Sequence, residues 1–341
     1  MSEPQTQYYH HGRFAVAGGV LPDAITAYRT YGDPSNPCIV FPTCYGAKLD
    51  SLSYMIGTDK TLDSTKYFIV TFALFSNGES SSPSNTKIPY NGPYFPEVSY
   101  ADNIRAQHAV LTKVLGISKI FSVIGFSMGG QQSYHWAVMH PEMRDRFVVL
   151  CGSARTSDHN QCFLEGPKSA LLASQDYHDG HYTSTPQRGI RAFARAYSAW
   201  AYGQTWFRNK QFLHDGRFPN LNAFLRERWE AGYLTNWDAN DMLTLLNTWQ
   251  KGDVSLVRHG GDLEKCLGDI IAPALIMPCK TDLYFPPEDS EIEVSLMKNS
   301  QAELVVIPSV HGHMAGGGSN AADDEFIKNT VRGFFERTVD A

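Results

Sequence analysis

The sequence predicts an α/β fold: a mostly parallel, twisted sheet flanked by helices, with a helical segment inserted before the late strands. Three observations predict it. Over the first 150 residues, short runs rich in β-branched and aromatic residues alternate with turns and helix-periodic segments, the pattern of parallel strands joined by crossover helices. From Thr156 to about Gly261 the segments are mainly helical and rich in Trp, Tyr and Arg. Strand character then returns at 270–277 and 302–307, so the sheet resumes after an interruption. The chain has 341 residues, 43% of them apolar, enough for one large core. The boundaries that follow are 1–155 and 265–341 for the core and 156–264 for a helical lid or cap.

In chain order, residues 24–31 alternate apolar and polar and stop at Gly32-Asp33-Pro34, a turn signal. Residues 38–41 form a short buried strand ended by Pro42, and 67–72 form another. A Ser, Asn, Pro and Gly loop runs over 76–93. The 99–115 segment is a helix, because Ile104, His108, Leu111 and Leu115 recur at helical spacing and Gly116 stops them. A strand over 119–124, a helix over 130–139 with Tyr134, Ala137 and Val138 on one side, and a strand at 147–150 follow. Within the insertion, 187–207, 220–231 and 240–250 are the helical stretches. The last element is an amphipathic helix over 323–338, with Phe326, Val331, Phe334 and Phe335 apolar. There is no internal repeat.

Composition narrows the function. The formal net charge is −6 with no basic block, which argues against nucleic acid and anionic membrane surfaces as partners. No run approaches the length of a membrane span. The first residues carry neither a basic start nor an apolar stretch, so no signal peptide is expected. The six cysteines, Cys38, Cys44, Cys151, Cys162, Cys266 and Cys279, form no C-x-x-C pair and lie mostly in apolar segments. They are expected to be buried free thiols in a reducing compartment, so a cytoplasmic enzyme is the expectation. His178 and His181 have a spacing that suits a metal, but no third ligand accompanies them, so neither metal nor cofactor is expected.

The most informative segment is Gly125-Phe126-Ser127-Met128-Gly129, set between the 119–124 strand and the 130–139 helix. A serine on a tight strand-to-helix turn, flanked by glycines that permit close approach, is a nucleophile elbow of the α/β-hydrolase kind. In that fold the acid and then the base follow the serine along the chain. Asp282, after the apolar run at 275–277 and a short turn, is the preferred acid, ahead of Glu288 and Asp289, which lie where a helix begins. His313 is the preferred base because Gly312 allows a sharp turn before it; His311 is the alternative. The oxyanion hole is assigned to the backbone N–H of Met128 and of Cys44, with Tyr45 next in line. The Cys44 thiol is set aside as a nucleophile because a complete serine constellation stands elsewhere.

These residues resemble the homoserine O-acetyltransferase-like group of α/β-hydrolases from near Ile25 to the C-terminus. The resemblance rests on Ala27-Tyr-Arg-Thr-Tyr-Gly32, Leu115-Gly-Ile-Ser-Lys-Ile120 and Gly125-Phe-Ser-Met-Gly-Gly-Gln131. It extends to Trp136-Ala137 with Pro141-Glu142, Asp238-Ala-Asn240, and Gly312-His313. It implies Ser127, Asp282 and His313 as a triad, a helical lid, and a homodimer made through that lid. Arg195 and Tyr202 match a lid arginine and a tyrosine seven residues later that hold homoserine in the acetyltransferases. A structural ion pair and a packed aromatic are the other reading of the two. Met314 stands where those enzymes carry an amine-binding aspartate, and Phe126 where they carry a small glycine. A thioether cannot pair with an ammonium, so homoserine is expected to be a poor substrate.

The function expected from the sequence is a serine hydrolase that cleaves an ester or related acyl bond of a small molecule through a Ser127–His313–Asp282 triad and an acyl-enzyme. The alternative is an O-acyltransferase that takes its acyl group from acyl-CoA and delivers it to an alcohol other than homoserine. A third is an α/β-hydrolase that binds a small ligand without catalysis, against which the intact constellation argues.

Overall fold

The computed structural model describes residues 4–337. Its eight strands form one sheet in the order β1-β2-β4-β3-β5-β6-β7-β8. They are β1 (Gln7–Val16), β2 (Gly19–Tyr31), β3 (Cys38–Pro42), β4 (Phe68–Phe72), β5 (Ile120–Phe126), β6 (Arg144–Leu150), β7 (Ala274–Met277) and β8 (Ala302–Leu304). The first two pair antiparallel with each other, and β2 pairs antiparallel with β4; all later pairs are parallel. The central strands are buried on both faces, as continuous apolar runs require in a parallel sheet. In β6, Val148 and Leu150 enter one core while Phe147 and Val149 enter the other.

Helices cover both faces. Against the second core lie α1 (Tyr100–Lys113) and α2 (Met128–Met139), through Ile104, Val110, Leu111, Tyr134 and Trp136. Helix α1 starts at a capping box in which Ser99 Oγ accepts from Asp102 N and the Asp102 carboxylate accepts from Ser99 N. Between β6 and β7 run α3 (Asp158–Leu172), α4 (Gln187–Ser198), α5 (Gln204–Arg208), α6 (Leu221–Phe224), α7 (Ala231–Asn236), α8 (Ala239–Gln250) and α9 (Leu263–Gly268). Their aromatic side chains, among them Phe193, Tyr197, Trp229 and Trp249, join the first core. After β7 come α10 (Pro287–Leu296) and, closing the first core with Ile327, Val331, Phe334 and Phe335, α11 (Ala321–Glu336).

The architecture is the one the sequence predicts, and the differences have local causes. Strand β1 was not expected, because most of its residues are exposed or half-buried and carry no apolar alternation. The continuous helix expected over 187–207 breaks after Ser198. Gly203 starts α5 instead, where an added Cβ would lie 2.7 Å from Thr281 Oγ1. The stretch expected to be helical over 220–231 continues to Asn236 and contains a π-helical turn over Leu225–Glu230. Helix α3 falls in the stretch expected to be helical, and Pro167 inside it obscures its limits; in α10 the apolar positions are sparse. Residue 338, the expected end of the last helix, lies outside the described residues.

One buried carboxyl ties the sheet's flank together. Glu293 on α10 accepts from Tyr134 Oη at 2.9 Å and from Ala154 N at 2.6 Å. Burial pushes its pKa up to about 8. A carboxyl raised on folding binds more protons folded than unfolded, so its contribution falls as pH rises between its unfolded value and the folded one. The Glu293→Gln variant is expected to lose less stability than the wild type between pH 5 and 8. The difference in slope should be at most about 1.4 kcal/mol per pH unit, read from urea unfolding at a series of pH values.

Candidate active site

The elbow is built by the passage from β5 to α2. Ser127 has φ 59° and ψ −124°, a conformation that a non-glycine residue adopts only when its surroundings impose it. The glycines show the constraint. A Cβ on Gly125 would sit 1.9 Å from Gly129 O, and one on Gly129 3.1 Å from Pro42 O. Ser127 N donates to Leu150 O at 2.9 Å, and Gln131 N donates to Ser127 O at 3.1 Å, so the turn is fixed from both sides.

The loop after β3 faces the first turn of α2. Gln132 Nε2 bridges them, donating to Thr43 O at 3.0 Å and to Met128 O at 3.2 Å. Thr43 N donates to Phe72 O at 2.8 Å. This buried glutamine was not singled out in the sequence, since nothing in its spacing marks it. Cys44 and Tyr45 follow and line the pocket. Burial pushes the Cys44 thiol up to about 12, so it is neutral, and its backbone is the part suited to polar work.

The two late loops bring Asp282 and His313 together. Asp282 Oδ2 and His313 Nδ1 are 2.8 Å apart, with both side chains buried. Asp282 Oδ1 accepts from Tyr284 N at 2.8 Å and Phe285 N at 3.1 Å, which fixes the carboxylate against rotation. The ring of His313 is held between aromatics: Phe126 stacks on it at 4.7 Å between centroids, and Tyr284 lies at 4.7 Å. Gly312 has φ +62°, and a Cβ there would be 2.5 Å from Gly203 N, so the turn needs glycine. Gly312 N donates to Thr281 Oγ1 at 3.1 Å and Met314 N to Ala201 O at 3.3 Å, docking the histidine loop on the break between α4 and α5.

The other expected candidates fall elsewhere. His311 Nδ1 lies 3.3 Å from Ser309 Oγ and 3.2 Å from Asn320 Nδ2, in a network with Asp323. Glu288 and Asp289 are in the first turn of α10. Phe126 and Met314 line the pocket with His313. Arg195 does not; it pairs with Glu230, which also takes Arg191 Nη1 at 2.8 Å, and it donates to Asn222 Oδ1 at 2.9 Å. Tyr202 stacks on Trp206 at 3.8 Å and lines a separate surface cavity.

One expectation is corrected. The reading of a serine hydrolase acting through a closed Ser127–His313–Asp282 triad is not what the structure displays. The grouping present is Cys151, His313 and Asp282, whose ligand-type atoms lie within 4.8 Å of one another. Among the described residues no hydrogen bond joins Ser127 Oγ to His313. The reason is strand adjacency. Cys151 is the first residue beyond β6, which neighbours β7, and its φ of 45° sits beside the loops carrying the acid and the base. Cys151 N donates to Met277 O at 3.0 Å. Its thiol is fully buried, and that burial raises its pKa well above the ordinary range. Sequence distance hides this neighbour completely.

The pocket that His313 lines has a volume of about 260 Å³. Its walls are aromatic, with Tyr45, Tyr197, Trp229, Tyr233 and Trp237 among them, and Tyr45 packs among Phe193, Tyr197, Trp237 and Trp249 at 5.5 to 6.3 Å. Tyr45 Oη donates to Met242 O at 3.3 Å, which joins the β3 loop to α8. Such a site suits a small acyl substrate: apolar walls, a buried histidine–carboxylate pair and a helix N-terminus at the elbow.

Residues 37–315 match the family model described as alpha/beta hydrolase fold. An ethyl acetate hydrolase from Pseudomonas veronii is 34% identical over 312 residues, spanning 89% of this chain and 87% of its own. A homoserine O-acetyltransferase from Chloroherpeton thalassium is 29% identical over 312 residues, spanning 87% of this chain and 80% of its own. The monoclinic structure of the acetyl esterase MekB superposes with a TM-score of 0.93 at 30% identity, covering 98% of this chain and 97% of that one.

Proposed function

The chain belongs to the alpha/beta hydrolase fold family, and from that premise we propose that it is an acyltransferase, moving a short acyl group from a small acyl donor to an alcohol. The observation that carries the proposal is the buried Asp282–His313 pair, held at 2.8 Å beside the pocket with the Cys151 thiol next to it. In the proposal Asp282 orients the imidazole and stabilises its charged form. His313 takes the proton from the attacking group and passes it to the donor's leaving group; it then takes the alcohol's proton and returns it to the side chain that the acyl group leaves. The N–H groups of Met128 and Cys44 hold the oxyanion, with Gln132 keeping the two backbones in register.

Ser127 is proposed to bear the acyl group. Its strained turn at the start of α2 supports this, since the helix end favours developing negative charge. The contact with His313 would form with the donor in place. Cys151 is the competing bearer, beside the pair but sealed, with a thiol that burial keeps neutral. Segment 156–264 is proposed as the lid that limits water, and acyl-CoA as a donor. A homodimer through the lid and a cytoplasmic location remain part of the proposal; no helix among the described residues is long and apolar enough to cross a membrane.

The test is incubation with acetyl-CoA or p-nitrophenyl acetate, with and without an alcohol, followed by product partition and mass mapping of the acyl adduct. New ester should form when alcohol is present. Free acid alone would overturn transfer and leave the reaction that the esterase relatives are named for. The adduct should map to Ser127 and vanish in Ser127→Ala while surviving in Cys151→Ala; the reverse would assign the thiol.

Met314 gives a second expected outcome. It lines the pocket where an ammonium would need a carboxylate. Acetyl transfer to L-homoserine should be negligible in the wild type and appear in Met314→Asp. The missing partner costs about 2–5 kcal/mol, a 30-fold to several-thousand-fold difference. Efficient transfer by the wild type would show that homoserine is accepted without that aspartate.

A further inference from the structure

We infer that Arg228 makes the pocket mouth a recognition element for an anionic group, carried by the acyl substrate at a distance from its reacting carbonyl. The inference rests on the acyl-transfer reading of the site and deepens it.

Arg228 lies in the π-helical turn Leu225–Glu230 and lines the same pocket as His313. Among the residues lining that pocket it is the one permanent charge, and no Asp, Glu or Lys accompanies it. The neighbouring lid arginines are occupied. Arg191 and Arg195 share Glu230, and Arg226 pairs with Glu227 at 3.3 Å. Among the described residues Arg228 makes neither an ion pair nor a side-chain hydrogen bond; its guanidinium carbon sits 5.8 Å from the Trp229 ring. An arginine freed from carboxylates and turned to a pocket without acids has its donors available to a ligand.

The local geometry leaves room for one. Gly232 and Asn236 follow Arg228 at successive turns and also line the pocket. A Cβ on Gly232 would meet nothing nearer than Arg228 Nη1, at 4.0 Å, so Gly232 does not crowd the guanidinium on its side. A planar guanidinium fork matches carboxylate and phosphate oxygens in pairs. Two substrate features could supply them: a carboxylate on the acyl chain, or the phosphates of a thioester carrier. The same arginine would repel an ammonium, in line with the absence of an acid at Met314.

The test compares charged and neutral partners in matched pairs, in the wild type, Arg228→Gln and Arg228→Lys. One pair is monomethyl succinate against dimethyl succinate; the other is acetyl-CoA against S-acetyl-N-acetylcysteamine. The ratio of kcat/KM, charged over neutral, should fall about tenfold or more in Arg228→Gln and less in Arg228→Lys. Added salt should erode the wild-type ratio more than the variant's. A fall in the ester pair alone assigns a carboxylate, and a fall in the thioester pair alone assigns phosphate. Equal ratios in wild type and Arg228→Gln for both pairs would overturn the inference. Turnover of no donor by the wild type would overturn the acyl-transfer reading instead. Recognition is then read separately by quenching of Trp229 and Trp237, which line the pocket. The Kd ratio of monomethyl to dimethyl succinate, and of coenzyme A to pantetheine, should shift in Arg228→Gln; unchanged ratios would again overturn the inference.

Discussion

Replacing His313 by alanine is expected to lower kcat by three to six orders of magnitude, about the loss that follows removal of a base from a catalytic constellation. His313 is the imidazole paired with a buried carboxylate at 2.8 Å and the one that lines the pocket. Without it, no group takes the proton from the attacking atom. His311→Ala is the internal control. That ring is tied to Ser309 and Asn320 and lies near Asp323, so its loss should cost less than about tenfold in kcat. The measurement is hydrolysis or transfer from p-nitrophenyl acetate, with circular dichroism to confirm that both variants fold. A larger loss in His311→Ala would move the base to the other side of Gly312.

Asp282→Asn is expected to cost about 10⁴-fold in kcat with little change in fold. The asparagine oxygen can keep the bonds from Tyr284 N and Phe285 N, so the loop stays in place. Its amide then faces His313 Nδ1 as a donor. This forces the other tautomer, with the proton on the nitrogen that should receive one. The imidazolium formed during reaction also loses its counter-charge, in a site where the Asp282 side chain is fully buried and water cannot replace it. A loss below about tenfold would mean that His313 works without the carboxylate. Thermal unfolding of the variant separates this outcome from a failure to fold.

Much of the site was legible because its residues obey local rules. Gly125 and Gly129 bracket Ser127 at the spacing that a strand-to-helix turn demands, and Gly312 precedes His313 for the same reason of backbone space. Asp282 was readable as the carboxylate after a late apolar strand. Substrate-side residues were less readable. Arg195 matched a spacing, yet its charge is engaged by Glu230, a partner 35 positions away. Arg228 matched nothing, and its exposure to the pocket follows from the π-turn and from the carboxylates its neighbours already hold.

By itself the sequence determined the parallel α/β sheet, the helical interruption between β6 and β7, the tight serine-bearing turn and the places of Asp282 and His313 after late strands, because each depends on periodicity, turn chemistry or a glycine within a few residues. Only the tertiary structure decided which side chains share space. Strand order places Cys151, at the end of β6, against the loops beyond β7 and β8. The break after α4 seats Ala201 and Gly203 on the histidine loop. Sheet register and helix docking are set by the joint packing of two cores and by hydrogen bonds between distant loops. These are many-residue contacts, and no spacing along the chain encodes them.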